Sequence, residues 1–272
     1  MMSLDEFIEA GVALSREAKV LDGIHAYFMQ HCARVYRCCR RFKLLETNLG
    51  DVLEIGPFFS YTPFVLQRQA SSYSVLEGDD PAAYPLKPLY AQRKIALQFV
   101  DLFEMFGPTH TASHALPFAD ASFDTFLCWG TMEHFNFNPV KFIREVHRVL
   151  KPGGNAYINV PNRASFQNLF TLIFGRFEQK YVDTYFEYED YSSNGKKAFY
   201  GFHWREYSGP ELARLFSRAG FAIQSCELFV AFQDCEKPSA ARKLFRQGAR
   251  LLAGVLPRYG TDVCLIAQKQ RQ

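Results

Sequence analysis

Apolar positions in the first 47 residues recur at steps of three and four: Ile24, Tyr27, Phe28, Cys32, Val35 and Tyr36. No proline interrupts them before Asp51. That period marks one side of a helix and predicts a helical segment over 3–47. Within it, ARVYRCCRRFK places Arg34, Arg37, Arg41 and Lys43 mostly on one side. Such a stripe reads as a solvated helix face, with an acidic substrate or a lipid head group as the lesser alternative.

From Asp51 the pattern shortens to strand-like runs. Strands are predicted at 51–55, 73–77, 95–101, 123–129 and 155–160, then at 221–230 and 261–268. Helices fall between them. Thr62-Pro63 and Asn138-Pro139 each read as a cap followed by a first helical residue, because proline's fixed φ suits a first turn. Val140, Phe142, Ile143, Val146, Val149 and Leu150 form one apolar side, which stops at Lys151-Pro152-Gly153-Gly154. Gly209-Pro210 opens another helix, and a further basic, amphipathic one is expected near 239–254. Strands alternating with helices predict an α/β fold with a doubly wound, mostly parallel sheet covered on both faces. Ligands of such sheets lie at the carboxyl ends of the strands.

Those ends carry acids. Glu54, Gly56 and Pro57 close the first strand, and Glu77, Gly78 and Asp79 the second. Asp101 and Leu102 follow the third strand, and Trp129, Gly130, Thr131, Met132, Glu133 and His134 the fourth. A dinucleotide would need bare glycine backbone under its pyrophosphate. Here Phe58, Ser60 and Tyr61 occupy the later glycine positions, and Glu54 would repel phosphates, which argues against a nucleotide-dependent oxidoreductase. A cationic ligand without phosphates fits better, since carboxylates and aromatic faces stabilise a sulfonium or an ammonium. Glu54, a carboxylate in an apolar strand end, is expected to find its partner in that cation.

Composition narrows the picture further. A chain of 272 residues, 48% hydrophobic, suffices for one large domain, and a net charge of +3 makes no case for nucleic acid. Seven cysteines with no CxxC pair read as reduced, buried thiols of a cytoplasmic protein; neither a disulfide frame nor a metal site is expected. The start MMSLDEFIEA lacks the apolar core of a signal peptide, and no apolar run approaches the roughly 20 residues of a membrane span.

Taken in order, VLEIGP, VLEGD, ALPFADASFD, MEHF, REVHRVLKPGG and NVPN resemble the class I S-adenosylmethionine-dependent methyltransferases, nearest to their small-molecule branch. The resemblance covers about 50–162 and returns in HWREYSGPELARLFSRAGF, 203–221. It implies a Rossmann-like seven-stranded sheet with an antiparallel last strand, an N-terminal helical segment at 1–48, and a methyltransferase domain at 49–272. S-adenosylmethionine is the implied cofactor, held by Glu54, Gly56, Pro57, Thr62, Glu77, Asp79, Asp101, Leu102, Trp129 and Met132. Glu77, with Asp79 as the alternative, would take the ribose hydroxyls, and Asp101 the adenine amino group. Two departures stand out: Gly56 alone remains of the glycine turn, and residues 103–115 separate Asp101 from the ALPF motif. If the third strand lay near 110–114 instead, Ser113 or His114 would face adenine.

Glu133, His134 and His203 are the candidate catalytic residues, with His134 as a base toward a hydroxyl. Residues 181–207 hold ten aromatics among acids, lysines and Arg205. Within a longer insertion, 163–207, they are too many for a simple connection and suit a cover over a small-molecule or saccharide acceptor, with Tyr200 and Arg205 on its side. A homodimer contact is the other use of such a surface. The expected activity is O-methylation; a non-catalytic binding protein of the same fold is the rival.

Overall fold

The computed structural model describes residues 2–19, 22–78, 84–107, 115–175, 203–230 and 240–271. Two helices lead the chain, α1 (Leu4–Glu17) and α2 (Asp22–Arg41), in place of one continuous run. Ser3 starts α1 with a capping box: its hydroxyl accepts from the Glu6 N–H while Glu6 reaches back to the Ser3 N–H.

Seven strands follow: β1 (Gly50–Ile55), β2 (Ala70–Glu77), β3 (Ala96–Phe99), β4 (Phe123–Trp129), β5 (Leu150–Pro161), β6 (Phe221–Phe229) and β7 (Asp262–Lys269). Their spatial order is β3-β2-β1-β4-β5-β7-β6. All neighbours are parallel except β7, which runs antiparallel between β5 and β6. This is the expected seven-stranded α/β sheet. The order reverses between β1 and β4, so their carboxyl ends open a crevice at the switch point.

Connecting helices are α3 (Thr62–Leu66), α4 (Lys87–Gln92), α5 (Leu102–Phe106), α6 (Pro139–Val149), α7 (Phe166–Ile173), α8 (Gly209–Arg218) and α9 (Ala240–Val255). Asn138 caps α6 by accepting from the Val140 N–H, as the Asn-Pro pair predicts. The Thr-Pro pair behaves otherwise. Tyr61, in a left-handed conformation, precedes α3, and Thr62 is its first residue, because the Thr62 hydroxyl is drawn away to Glu54. The third strand is 96–99, so Asp101 does follow it. Ser113 and His114 lie outside the described residues.

Alternation along the central strands divides the core in two. Val52, Leu127 and Trp129 face α1 and α2, while Leu53, Ile55, Phe126 and Cys128 face α6 and α8. The N-terminal helices are therefore continuous with the first core. Phe28 of α2 is wholly buried with its ring edge-on to Tyr61, 5.0 Å between centroids, and Phe42 packs on Trp129 and Tyr157. The arginine stripe splits on this packing. Arg41 stays outside in an ion pair with Glu227, but Arg34 turns inward to the crevice. Among the described residues no helix is long and apolar enough to cross a membrane.

If α2 is part of this core, Phe28→Ala shifts the whole unfolding transition. A loss of about 3–5 kcal/mol is expected from urea denaturation followed by circular dichroism. A loss confined to a minor early phase would make the N-terminal helices an independent unit.

Candidate active site

The turn after β1 is built without its usual glycines. Gly56 has φ of +62°, and a Cβ there would stand 2.8 Å from Thr131 Cγ2, so the ends of β1 and β4 meet only because that atom is missing. Phe58 and Tyr61 also adopt positive φ, at +49° and +58°. Such geometry costs on the order of 1–3 kcal/mol per non-glycine residue and persists only where its surroundings hold it. They do. The Phe58 N–H donates to Glu77 Oε1 at 2.7 Å, and the Tyr84 hydroxyl lies 2.9 Å from the Phe58 carbonyl and 3.1 Å from the same Glu77 oxygen. The Tyr61 hydroxyl is 2.8 Å from Ser15 Oγ on α1. Rings complete the clamp: Phe58 packs on Phe59 and edge-on to Tyr27 of α2, and Phe59 stacks on Tyr84. Phe59 is core, whereas Phe58 remains 37% exposed at the mouth of the crevice.

Glu54 sits beneath this turn, fully buried. Thr62 donates to its Oε1 and Tyr73 to its Oε2, both at 2.5 Å. The Trp129 indole N–H faces the same carboxylate closely enough to favour its charge, yet does not align as a hydrogen bond. Burial nevertheless dominates and lifts the Glu54 pKa from 4.5 to about 7. Protein hydroxyls thus already meet each oxygen of Glu54, so a ligand cation is not its sole partner.

The other expected cofactor residues are arranged around the crevice. Glu77 is buried at the end of β2. Asp101 accepts from the N–H groups of Phe103 and Glu104, capping α5, and Leu102 is buried behind it. Pro57 is buried in the turn. Trp129 ends β4 with its ring on the α2 side. Met132 departs from its expected place, since its side chain is wholly enclosed in the core on the α6 side. Asp79 lies outside the described residues.

Beyond Trp129 the chain makes a short 3-10 turn, Met132–His134, and there the three expected catalytic side chains converge. One ligating atom each of Glu133, His134 and His203 lie within 4.8 Å of one another. The two imidazoles meet edge-on, 4.8 Å between centroids. The Arg205 N–H donates to the Glu133 carbonyl, which fastens the 203–207 segment to this turn. Glu133 is 1% exposed, and its Oε2 has no hydrogen-bond partner among the described residues. Burial raises its pKa, against the pull of His203 and Arg34. Arg205 is placed differently from expectation. Its guanidinium pairs with Glu211 and lies over the Tyr207 ring, so its charge is already answered. Tyr200 is outside the described residues.

Two more side chains join from α2. A Cβ at Gly130, where φ is +54°, would stand 2.8 Å from Arg34 Nη2, so the guanidinium occupies the space this glycine leaves. Burial opposes the Arg34 charge, but Asp262 and Glu133 outweigh it and raise the pKa. His31 is kept neutral, its pKa lowered to about 3 by burial and then by Arg34, His203 and His134. The sequence pattern assigned Arg34 to a solvated helix face, which the structure corrects, and did not single out His31. The signal was there: Arg34 lies three residues after His31, four before Cys38 and eight before Phe42, on the face that packs inward.

A family model described as a methyltransferase domain matches residues 87–158, from α4 into β5. The tRNA U34 carboxymethyltransferase of Campylobacter curvus is 35% identical over 128 residues, which cover 44% of this chain and 38% of that protein. A protein of Mycolicibacterium smegmatis named "Probable S-adenosylmethionine-dependent methyltransferase" is 28% identical over 174 residues, 64% of this chain and 52% of that one. The chain thus spans about half or less of the length of these curated relatives. Among solved structures, a SAM-dependent methyltransferase from Thermotoga maritima superposes with a TM-score of 0.54 at 19% identity, covering 95% of this chain and 99% of its own. Residues 87–158 thus match a methyltransferase domain, and the sheet as a whole has the fold of the Thermotoga S-adenosylmethionine-dependent methyltransferase.

The buried carboxyl under the turn gives a pH signature. A carboxyl held above its unfolded pKa binds its proton more tightly when folded. Its contribution is fully present below about pH 4.5 and is lost as pH rises through about 7. Wild-type urea midpoints should therefore decline across that window by more than those of Glu54→Gln. Parallel profiles would show that Glu54 titrates normally.

Proposed function

We propose that the protein transfers a methyl group from S-adenosylmethionine to a hydroxyl of a small-molecule acceptor. The observation that carries this reading is the line of buried acids along the strand ends, Glu77 on the cofactor side and Glu133 with two histidines beyond β4. The residues fit this cofactor. A bare Gly56 and acids at the strand ends suit a cation and oppose a pyrophosphate.

When bound, S-adenosylmethionine supplies a methyl group already activated by its sulfonium. Glu77, whose Oε1 accepts from the Phe58 N–H and the Tyr84 hydroxyl, serves the ribose hydroxyls in this reading. Asp101 serves the adenine amino group, Gly56 admits close backbone approach, and Trp129 and Phe58 wall the crevice. Glu54 acts indirectly, by holding Thr62 and thus the start of α3. Glu133, His134 and His203 receive the acceptor, aim its hydroxyl along the line of displacement and draw off its proton. Holding the reacting atoms about 3–3.5 Å apart does much of the work in such a transfer.

One observation favours a second reading, a nucleic-acid acceptor: the partial likeness to a protein named for tRNA U34. The near balance of charge, +3 over 272 residues, opposes it.

Calorimetry with S-adenosylhomocysteine tests the proposal. Micromolar binding is expected for the wild type and none for Glu77→Ala. With labelled cofactor, methyl incorporation is then screened over saccharides, aromatic hydroxyl compounds and bulk tRNA. His134→Ala should keep cofactor affinity and lower incorporation by roughly a hundredfold. A wild type that binds neither S-adenosylmethionine nor its demethylated product overturns the reading, and incorporation into tRNA alone replaces the acceptor class.

A further inference from the structure

We propose that Glu133, His134 and His203 bind a divalent transition-metal ion at the acceptor end of the crevice. The inference rests on the reading above for what the ion would do there, but not for whether it binds.

Four observations converge. The three donor atoms lie within 4.8 Å of one another, contributed by two chain segments far apart in sequence. Glu133 is 1% exposed with Oε2 unpartnered among the described residues, and leaving such an oxygen unmet is costly unless a cation answers it. His203 is backed from outside: Glu206 Oε1 lies 3.7 Å from its Nδ1, and Glu206 itself accepts from the Asn168 amide at 2.8 Å. That separation is longer than a hydrogen bond, and a small approach on ion binding would bring the carboxylate into the outer position that orients metal-binding imidazoles. Finally, the frame is fixed, because the Arg205 N–H donates to the Glu133 carbonyl at 3.2 Å and Tyr207 pairs with Asn162 at the end of β5.

The donor set selects the kind of ion. Two imidazoles and one carboxylate suit Zn²⁺ or a neighbouring first-row ion, whereas Mg²⁺ and Ca²⁺ want oxygen throughout. Bonds of about 2.0–2.1 Å bring tetrahedral ligands to about 3.3 Å from one another, so the side chains close by about 1.5 Å at most. Three protein ligands leave a position open, and an oxygen of the acceptor would fill it. The charges facing the site permit a cation. Arg34, a fixed positive charge facing Glu133, is engaged by Asp262 as well. On this arrangement His134 is a ligand, which replaces the role of base that its sequence position suggests.

The test uses the full chain, freed of metal with a chelator and dialysed. Co²⁺ is titrated while visible absorption is followed, and S-adenosylhomocysteine binding is measured by calorimetry on the same samples. One equivalent of Co²⁺ with the intense bands of a low-symmetry nitrogen–oxygen site is expected, displaced by Zn²⁺ and accompanied by a higher melting midpoint. Glu133→Gln and His203→Ala should each weaken Co²⁺ binding by roughly a hundredfold or more, and Glu206→Gln by about 10–100-fold, with S-adenosylhomocysteine affinity unchanged. Should the buried Glu133→Gln fail to fold, the wild-type stoichiometry and Glu206→Gln decide. No saturable Co²⁺ or Zn²⁺ binding by the wild type, or binding that all three variants retain, overturns the proposal. Metal binding without any S-adenosylhomocysteine binding upholds the ion site and removes the methyl-transfer reading instead.

Discussion

The carboxylate of Glu77 holds the turn after β1 in a shape that the backbone alone would not choose. Phe58 and Tyr61 sit in the left-handed region where this kind of turn elsewhere relies on glycine. The Phe58 N–H bond to Glu77, the Tyr84 hydroxyl beside it and the stacked Phe59 and Tyr84 rings make that geometry stable. With the turn fixed, Gly56 can press against Thr131 and bring β1 and β4 together at their carboxyl ends. The crevice, its acidic lining and the position of the histidine cluster all follow from that closure.

The turn also explains why the chain begins with two helices. Tyr61 reaches Ser15 on α1, Phe58 reaches Tyr27 on α2, and Phe28 fills the space beneath. Aromatic contacts from α2 thus take over the restraint that a glycine-rich turn does not need. The same helix delivers Arg34 and His31 to the far end of the crevice. One element therefore both stabilises the cofactor side and shapes the electrostatics of the acceptor side. Arg34 offsets two buried acids, Asp262 and Glu133, that would otherwise repel each other across the ends of β7 and β4.

Two acids at strand ends, alike in sequence, have come to different uses. Glu54 is held by Thr62 and Tyr73, and burial raises its pKa against those two hydrogen bonds. Glu133 is equally buried but keeps an oxygen that no described group meets. The difference lies in neighbours contributed by other strands and helices, which strand position alone does not specify. It is also why a reading by position expected Met132 and Arg205 at the site: one is enclosed by the α6 core, the other is claimed by Glu211.

By itself the sequence determined the sheet, its strands and most helix limits, because periods of 2 and 3.6 and the Asn-Pro and Gly-Pro signals are local properties. It determined as well that Glu77, Asp101, Glu133 and His134 stand at carboxyl ends, since a strand end is legible one residue at a time. It also named His203, through a motif. Only the tertiary structure decided that His203 meets Glu133 and His134, that Arg34 leaves the solvated stripe for the crevice, and that Phe58 and Tyr61 carry the glycine geometry. Those outcomes depend on contacts between segments distant in the chain, where packing and burial, and not local preference, set the free energy.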